Sequence, residues 1–347
     1  MVVKVKERTS IPVVQVDNTF YDGSAYDPET VRFFDVAQEG AQVRLIGGLV
    51  AQGALSAFEG LRPRSVVVML DGQIHRSCVR LVETLHSPMR QPLVITSTLP
   101  HYIGALDVLI VITDNGADEK ALKALITASQ RGVTTLLIGP SSGPLIDESP
   151  QDTFVLPTLP TAAGLSPARI VASISTLLDL LEADPSIISD RLEHLADCID
   201  EEVESLSPER DELVNPGRKL RAYVDHARIV HTGRTDVGLA IANVIAPIWT
   251  RRGLVSAVLD FPELMESLPE LRGPEPITDD IFHDPFIDDE PGVVPFRAVV
   301  WAEEEPGIPD AMAQSCDGPS KGALTQALRL LVRGQSATTY SIEEKDL

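Results

Sequence analysis

DVLIVITDNGADEKALKALI (residues 107–126) contains the pattern from which the fold can be inferred. Residues 107–113 form a mostly apolar run without alternation, which is typical of a β-strand covered on both faces. A glycine-containing turn follows, and Leu122, Leu125 and Ile126 then recur at the spacing of one helix face. A buried strand, a glycine turn and an amphipathic helix, in this order, predict one βα unit of a parallel α/β protein.

The same alternation of apolar strands and helices recurs in two blocks. Apolar runs of this kind indicate parallel sheets that lie between layers of helices. In the first block, strands are predicted at 65–70, 92–97, 107–113 and 133–139, and helices at 73–86, at 117–131 and from Pro167 onwards. The pattern restarts after Pro216, with strands predicted at 227–233, 254–259 and 296–302 and helices at 236–249 and 320–333. The predicted fold class is therefore α/β, with two units in tandem.

The chain divides into four predicted segments. They are a helical N-terminal extension packed on the first unit, the first α/β unit, an acidic helical linker on the surface and the second α/β unit, at 1–60, 61–183, 184–216 and 217–347. In the extension, Asp27 is predicted to cap the first helix and Gly40 to end it. In the second unit, residues 262–291 are rich in Pro, Asp and Glu, which predicts an acidic loop.

The bulk composition restricts the partners and the compartment. The chain has 29 Lys and Arg against 51 Asp and Glu, a formal net charge of −22, which disfavours nucleic acid and anionic membranes as partners. The three cysteines are widely spaced without a CxxC pair, which is typical of reduced thiols in a cytoplasmic protein. No apolar run approaches the length of a membrane span, and the N-terminal MVVKVKERTS lacks the apolar core of a signal peptide. We expect a soluble, cytoplasmic protein.

The sequence lacks several motifs that identify common types of functional site. It has no Walker loop and no GxSxG, HExxH or GxGxxG motif, and its seven histidines show no metal-ligand spacing. We therefore predict neither a cofactor nor a metal ion, and a nucleotide-binding module lacks support. His75 follows the first strand at the edge where parallel sheets bind ligands, although a position without ligand contact is the favoured interpretation.

The turn after the strand at 107–113 is unusually acidic for its position. The start of a helix in a parallel α/β unit offers free N–H groups and the positive end of a dipole, so it normally receives anions. This turn instead carries Asp114, Asp118 and Glu119. Asp118 is well placed to cap the helix and to take N–H groups that a phosphate would use. Ordinary capping of a surface helix is an equally good interpretation, and both predict weakened phosphate binding.

Four segments together resemble the bifunctional phosphoglucose/phosphomannose isomerases, which are built from two sugar-isomerase (SIS) domains. TLPHYIGALDVLIVITDNGADEKAL looks like the LP-x-Y-V…L-V-I-V-x-S-Y-S-G-N-T-E-E-T-L segment of that family, and LSPARIVASISTLLDLL is similar to its PR-x-A helix. NPGRKLRAYVDHARIVHTG resembles the segment that leads into its second domain, and FPEL matches its FPEL. The resemblance covers most of residues 60–347 in order. It implies two tandem SIS domains of flavodoxin-like, three-layer α/β/α architecture, a sugar phosphate as ligand and a homodimer.

The loops that bind substrate in this family are altered here. The glycine-rich GMGGSAIGG corresponds to VMLDGQIHR (68–76), where Asp71, Gly72 and Gln73 are the implied substrate contacts and a single glycine remains. β-Carbons at such positions obstruct the close approach of a ligand to the backbone. The hydroxyl-rich S-Y-S-G-N-T-E-E corresponds to TDNGADEK (113–120). The implied substrate contacts in this second loop are Thr113, Asn115, Gly116 and Asp118.

The catalytic positions implied by the resemblance are also altered. Aldose–ketose isomerisation needs a base that moves a proton between C1 and C2 and a group that opens the ring. The family's glutamate base falls near Thr250 and its ring-opening histidine at Glu266, and neither residue is equivalent to what it replaces. Arg169 lies next to the position of the family's arginine, and Lys345 resembles its late catalytic lysine. Arg251 and Arg252 are either surface residues or replacements for lost donors.

Two functional hypotheses remain open. The first is a phosphosugar-binding SIS protein whose catalysis is weakened or lost and whose role is regulatory. The alternative is an active aldose–ketose isomerase in which Glu263 or Glu266 has become the base.

Overall fold

A computed structural model describes residues 27–162, 164–272, 294–316 and 322–341. The first unit contains a five-stranded, wholly parallel sheet, here called sheet A, in the order β2-β1-β3-β4-β5. β1 and β3 lie side by side, with Ser65 paired to Asp107 and Leu70 to Ile112. The strands are β1 (Ser65–Leu70), β2 (Leu93–Thr96), β3 (Asp107–Ile112), β4 (Thr134–Gly139) and β5 (Thr153–Pro157).

Helices cover both faces of sheet A, as the unbroken apolar runs predict. Alternate residues of each strand point to opposite faces, so that Val66 and Val68 contribute to one core and Val67 and Met69 to another. The helices of this unit are α3 (Gln73–Leu85), α4 (Glu119–Gln130), α5 (Pro144–Asp147) and α6 (Pro167–Leu180). Three layers result, with the carboxyl ends of the parallel strands at one edge.

The second unit repeats this topology with a four-stranded parallel sheet, sheet B, in the order β7-β6-β8-β9. This order matches the first four strands of sheet A. Its strands are β6 (Arg228–Thr232), β7 (Ser256–Val258), β8 (Phe296–Trp301) and β9 (Ala311–Gln314), and its helices are α8 (Pro216–Tyr223), α9 (Asp236–Arg251), α10 (Phe261–Arg272) and α11 (Ala323–Ser336). The turn from β6 to α9 needs glycine, because a β-carbon on Gly233 would lie 2.2 Å from the backbone of Gly238.

The remaining helices are α1 (Pro28–Ala37), α2 (Glu39–Ala51) and α7 (Pro185–Ser205). They contact both units, since α2 packs on α6 of the first unit and α1 and α7 also contact α11 of the second. They differ from the predictions in two places. Asp27 caps α1 as predicted, but the prediction that Gly40 ends a helix is wrong. Gly40 lies inside α2, where a β-carbon would stand 1.8 Å from Oδ1 of Asp200 on α7. The linker helix α7 is not purely a surface element either, since Glu202 is 1% exposed and paired with Arg329 and Arg333.

The prediction of an acidic loop at 262–291 is wrong for the first part of this range, because residues 261–272 form α10. Leu264 and Leu268 anchor that helix against Val230 of β6, and this burial stabilises it despite the acidic residues on its other faces. Residues 273–291 lie outside the described residues. None of the helices in the described ranges is long and apolar enough to cross a bilayer.

The two units meet where α3 packs on α9. The first half of α9, from Asp236 to Asn243, lines a cleft together with α3. At the opposite end, Arg251 at the end of α9 acts on the charge of Asp114 at the carboxyl edge of sheet A. This effect on the pKa of Asp114 is smaller than those of His75 and Arg169.

Candidate functional site

The candidate site lies at the carboxyl edge of sheet A, between β1 and β3. In a parallel sheet of this strand order, the connections from these two neighbouring strands leave in opposite directions and open a crevice where ligands bind. The chain reaches this edge as Asp71 and Gly72 after β1 and as Thr113 and Asp114 after β3. Topology alone therefore brings the two loops that the sequence singled out to one place.

Asp114 is at the centre of this edge, where it contacts the side chains of His75 and Arg169. Its Oδ2 lies 3.0 Å from Nε2 of His75, and its Oδ1 lies 3.7 Å from Nη2 of Arg169. Burial opposes ionisation of Asp114, but the hydrogen bond and charge of His75 and the charges of Arg169 and Arg251 outweigh it, so the pKa of this carboxyl lies below its ordinary value. An anionic ligand at this edge would need His75 and Arg169, and both already contact the Asp114 carboxylate.

His75 is bound to acceptors on both sides of its ring. Nδ1 lies 3.0 Å from the carbonyl oxygen of Asp71, and Nε2 lies 3.0 Å from the Asp114 carboxylate. Since a carbonyl and a carboxylate only accept hydrogen bonds, the form that satisfies both contacts is the doubly protonated ring. His75 and Asp114 then form a charged pair, which is a stronger contact than a neutral hydrogen bond.

Arg169 is a buried cation below this pair, with a side chain that is 1% exposed. Arg169 lies on α6, and its Nη1 donates to the carbonyl oxygens of Gly139 and Leu156 at 3.2 and 3.1 Å. Gly139 is the last residue of β4, and Leu156 is the last but one of β5. Burial lowers the pKa of the guanidinium, and the charges of Asp114 and Glu39 oppose this effect. The β4 and β5 carbonyls thus aim a fixed positive charge at the strand ends.

The start of α3 is the part of the edge most open to an anion. Gly72 is the N-cap of α3 with φ 92°, no side chain caps the helix, and a β-carbon on Gly72 would meet open space. Lys120 lies beside it, with Nζ 2.9 Å from Oδ2 of Asp71. Gln73, the first residue of α3, is exposed. Free N–H groups, the helix dipole and a nearby ammonium are the elements of an anion site.

The second loop, in contrast, uses its own N–H groups. Asn115 N–H donates to Oγ1 of Thr113 at 3.2 Å, and Ala117 N–H donates to Oδ1 of Asn115 at 3.0 Å. Asp118 caps α4 by accepting from Ala121 N–H at 2.9 Å, so the predicted cap is present. Gly116 packs against the next loop, where its β-carbon would lie 2.7 Å from the carbonyl oxygen of Ser142. These donors are already satisfied and are poor partners for a phosphate.

The catalytic positions implied by the resemblance are not brought together here. Thr250 Oγ1 accepts from Ser256 N–H at 3.3 Å and so closes the turn between α9 and β7. Glu266 is exposed on α10, which packs on the Val230 face of sheet B, whereas α9 packs with Ile229 on the other face. Arg169 alone of this set lies in the site, and Lys345 lies outside the described residues.

Sequence reasoning missed three contributors to the site. Lys120 was not singled out, and His75 was assigned a position without ligand contact. Glu39 lies at the start of α2, fully buried, with its Oε2 accepting from Ser166 Oγ at 2.7 Å. No local pattern marks Glu39, whereas the position of His75 one turn into the helix after β1 was a usable signal.

Comparison with known proteins supports the fold through structure and not through sequence. No protein-family model and no curated protein matches the chain. The tagatose-6-phosphate ketose/aldose isomerase from Escherichia coli superimposes with a TM-score of 0.58 at 14% identity, covering 88% of this chain and 90% of that one. The C-terminal domain of glucosamine-fructose-6-phosphate aminotransferase from Francisella tularensis gives a TM-score of 0.57 at 12% identity, covering 91% of this chain and 97% of that one.

The chain therefore has the tandem SIS fold of parallel α/β units. At these identities the likeness shows the fold alone, and a fold of this kind hosts more than one function. The narrower resemblance to the bifunctional phosphoglucose/phosphomannose isomerases stays a prediction.

Proposed function

We propose that the protein binds a sugar phosphate at the carboxyl edge of sheet A and that its isomerase chemistry is weakened or lost. The observation that carries the proposal is the Asp114 carboxylate, which already engages His75 at 3.0 Å and Arg169 at 3.7 Å. A phosphate at this edge has to share these cations with a fixed negative charge. Two like charges about 4 Å apart cost roughly 1 kcal/mol in water and several times that in a partly dry cleft.

A sugar phosphate is the ligand class that the site and the fold support best. The uncapped start of α3 and the ammonium of Lys120 suit the phosphate, and the exposed carboxylate of Asp71 suits a sugar hydroxyl. Two proteins of the same fold are a tagatose-6-phosphate ketose/aldose isomerase and the C-terminal domain of a glucosamine-fructose-6-phosphate aminotransferase. A chain with a net charge of −22 needs local positive groups to hold an anion. The start of α3 and the ammonium of Lys120 provide them.

Weakened catalysis follows from the positions of Thr250 and Glu266. Thr250 carries no carboxylate and is engaged in its own turn, and Glu266 lies across sheet B from α9. Neither side chain is placed to move a proton on a ligand at sheet A. The homodimer and the regulatory role that accompany this hypothesis stay predictions.

An active isomerase is the second candidate, and one observation favours it. Asp114 and His75 form a carboxylate–imidazolium pair 3.0 Å apart in the crevice. A carboxylate of this kind can take the proton from the sugar carbon, and a protonated ring can donate one to the ring oxygen. In this candidate the base has moved to sheet A and not to Glu263 or Glu266.

Fructose 6-phosphate distinguishes the two candidates. We expect it to raise the thermal unfolding temperature, because ligand at about a hundred times its Kd adds roughly 2.7 kcal/mol to stability. In a coupled assay for aldose phosphates we expect no saturable turnover, and unphosphorylated fructose serves as the control ligand.

Saturable turnover that is lost in the His75→Asn variant would establish the second candidate. If fructose 6-phosphate, glucose 6-phosphate and glucosamine 6-phosphate all leave the unfolding temperature unchanged and no turnover is seen, both candidates are wrong.

A further inference from the structure

Glu39 is a buried carboxyl group directly behind the site. It is 0% exposed and lies at the start of α2 against the start of α6, where Ser166 Oγ donates to its Oε2 at 2.7 Å. Ser166 is the N-cap of α6, and Arg169 follows one turn later on the same helix. A carboxylate at this position is favoured by the helix dipole and by the charge of Arg169. Glu39 and Asp114 thus both act on the charge of Arg169, Asp114 from 3.7 Å and Glu39 from its position against the start of α6.

Unsatisfied polar atoms mark this contact between α2 and α6. Oε1 of Glu39 and Nε of Arg169 are both buried and have no partner in good hydrogen-bond geometry in the described parts of the chain, although the backbone N–H groups of Ala168 and Arg169 lie near the Glu39 carboxyl. Nε2 of Gln42, one turn further along α2, is in the same condition. Buried acceptors and donors without partners are costly, so the arrangement is one that a change of charge can readily alter.

We propose that Glu39 is a positioning residue for Arg169, and that ionisation of Glu39 turns the charge of Arg169 inward and weakens anion binding at the carboxyl edge of sheet A. With Glu39 neutral, the guanidinium serves Asp114 or a bound phosphate alone. With Glu39 ionised, the same cation is shared with a buried carboxylate that no solvent screens. The effect on ligand affinity depends on the proposed function, whereas the coupling within the protein does not.

The coupling falls in the neutral pH range. Burial raises the pKa of Glu39 to about 7, although the Ser166 hydrogen bond and the charge of Arg169 act in the opposite direction. Below that pH Glu39 is protonated and the site keeps the full charge of Arg169. Above it Glu39 is ionised, so anion affinity falls as pH rises through neutrality.

Ionisable groups on the other helices around Glu39 do not provide the same switch. Burial raises the pKa of the Cys78 thiol on α3 far above neutrality, and the charges of Glu39 and Asp114 raise it further, so Cys78 stays neutral in this range. Asp200 on α7 lies against Gly40 and is paired with Arg44 at 2.8 Å. Asp35 on α1 lies against Gly164.

The test compares the wild type with Glu39→Gln, which keeps the shape of the side chain and cannot ionise. Fructose 6-phosphate affinity is measured by calorimetry between pH 6 and pH 8. The ratio of wild-type to variant affinity removes the titration of the ligand itself. We expect this ratio to fall about fivefold across the range, a typical size for a coupling between two sites. Glu59→Gln, at an exposed glutamate, should leave the wild-type profile unchanged.

Ser166→Ala gives a second, independent arm that is valid even if Glu39→Gln fails to fold. The Ser166 hydroxyl favours ionised Glu39, so its removal should move the fall in affinity to higher pH without abolishing it. A purely structural role for Ser166 would lower affinity equally at every pH.

A ligand-free measurement separates this proposal from the proposed function. The ring signals of His75, identified with His75→Asn, are followed by NMR against pH, because His75 contacts Asp114 and through it Arg169. We expect the His75 curves of wild type and Glu39→Gln to diverge in a step near pH 7, where Glu39 ionises. This divergence without any fructose 6-phosphate binding would support the coupling and refute the function. Identical His75 curves and a flat affinity ratio would overturn the proposal.

Discussion

Arg169→Met is expected to destabilise the protein by roughly 3–5 kcal/mol and to abolish binding of fructose 6-phosphate. The guanidinium is 1% exposed and bridges the carbonyl oxygens of Gly139 and Leu156 while facing Asp114. Its removal takes a donor away from two buried carbonyl groups, of which that of Gly139 keeps the Thr158 N–H, and leaves the Asp114 carboxylate with His75 alone. Methionine fills much of the same volume, so the loss reports missing polar contacts more than a cavity. Urea unfolding and calorimetry measure the two effects.

Arg62→Met is the matched control, since Arg62 is exposed and the described residues give it no hydrogen-bond or ion-pair partner. Its effect should stay within about 0.5 kcal/mol. An Arg169→Met protein that is as stable as this control and still binds the ligand would show that the buried cation is not part of the site.

Acidification below pH 6.5 is expected to weaken the second unit through His231. This residue is fully buried on β6 between Trp249 and Trp301, its Nδ1 accepts from Trp301 Nε1–H at 3.0 Å, and burial lowers its pKa to about 3. The unfolded chain takes up a proton near pH 6.5 and the folded chain does not, so stability falls as pH drops between these values. The slope from this group alone is about 1.4 kcal/mol per pH unit.

His231→Asn isolates this contribution because asparagine keeps an acceptor near the position of Nδ1 and does not titrate. We expect the stability difference between wild type and variant to shrink by about 2 kcal/mol from pH 6.5 to pH 5 in urea unfolding. The control is His226→Asn, at a histidine whose side chain is 93% exposed and whose φ of 49° suits asparagine. Parallel pH curves for wild type and His231→Asn would contradict a buried neutral imidazole.

The elements predicted best are those whose burial is complete. β1 and β3 are buried at every residue, and unbroken apolar runs such as SVVVML and DVLIVI carry that information in the sequence alone. β5 (TFVLP) and β9 (AMAQ) were missed, since both are edge strands that are only partly buried. Short edge strands are specified by their pairing with a neighbour more than by their own composition.

The site was predictable only as far as local chemistry reaches. Asp118 as a helix cap follows from residue type and position after a strand and is confirmed, whereas Asp114 as an obstacle to phosphate stays a prediction. The partners of Asp114 do not, because His75 and Arg169 are 39 and 55 positions away and meet it only through the order of strands in sheet A. Placing Thr250 and Glu266 in the site depended on alignment to a family and stays a prediction; Thr250 closes the turn between α9 and β7, and Glu266 is exposed on α10.

The most direct test of the proposal that Asp114 competes with a bound phosphate is the affinity of Asp114→Asn for fructose 6-phosphate, measured by calorimetry beside the wild type. Asparagine removes the negative charge between His75 and Arg169, so we expect affinity to rise about tenfold. Asp118→Asn, which retains the helix cap, should change affinity less. Unchanged or weaker binding in Asp114→Asn, with Asp118→Asn unaffected, would contradict the claim that this carboxylate competes with the phosphate for His75 and Arg169.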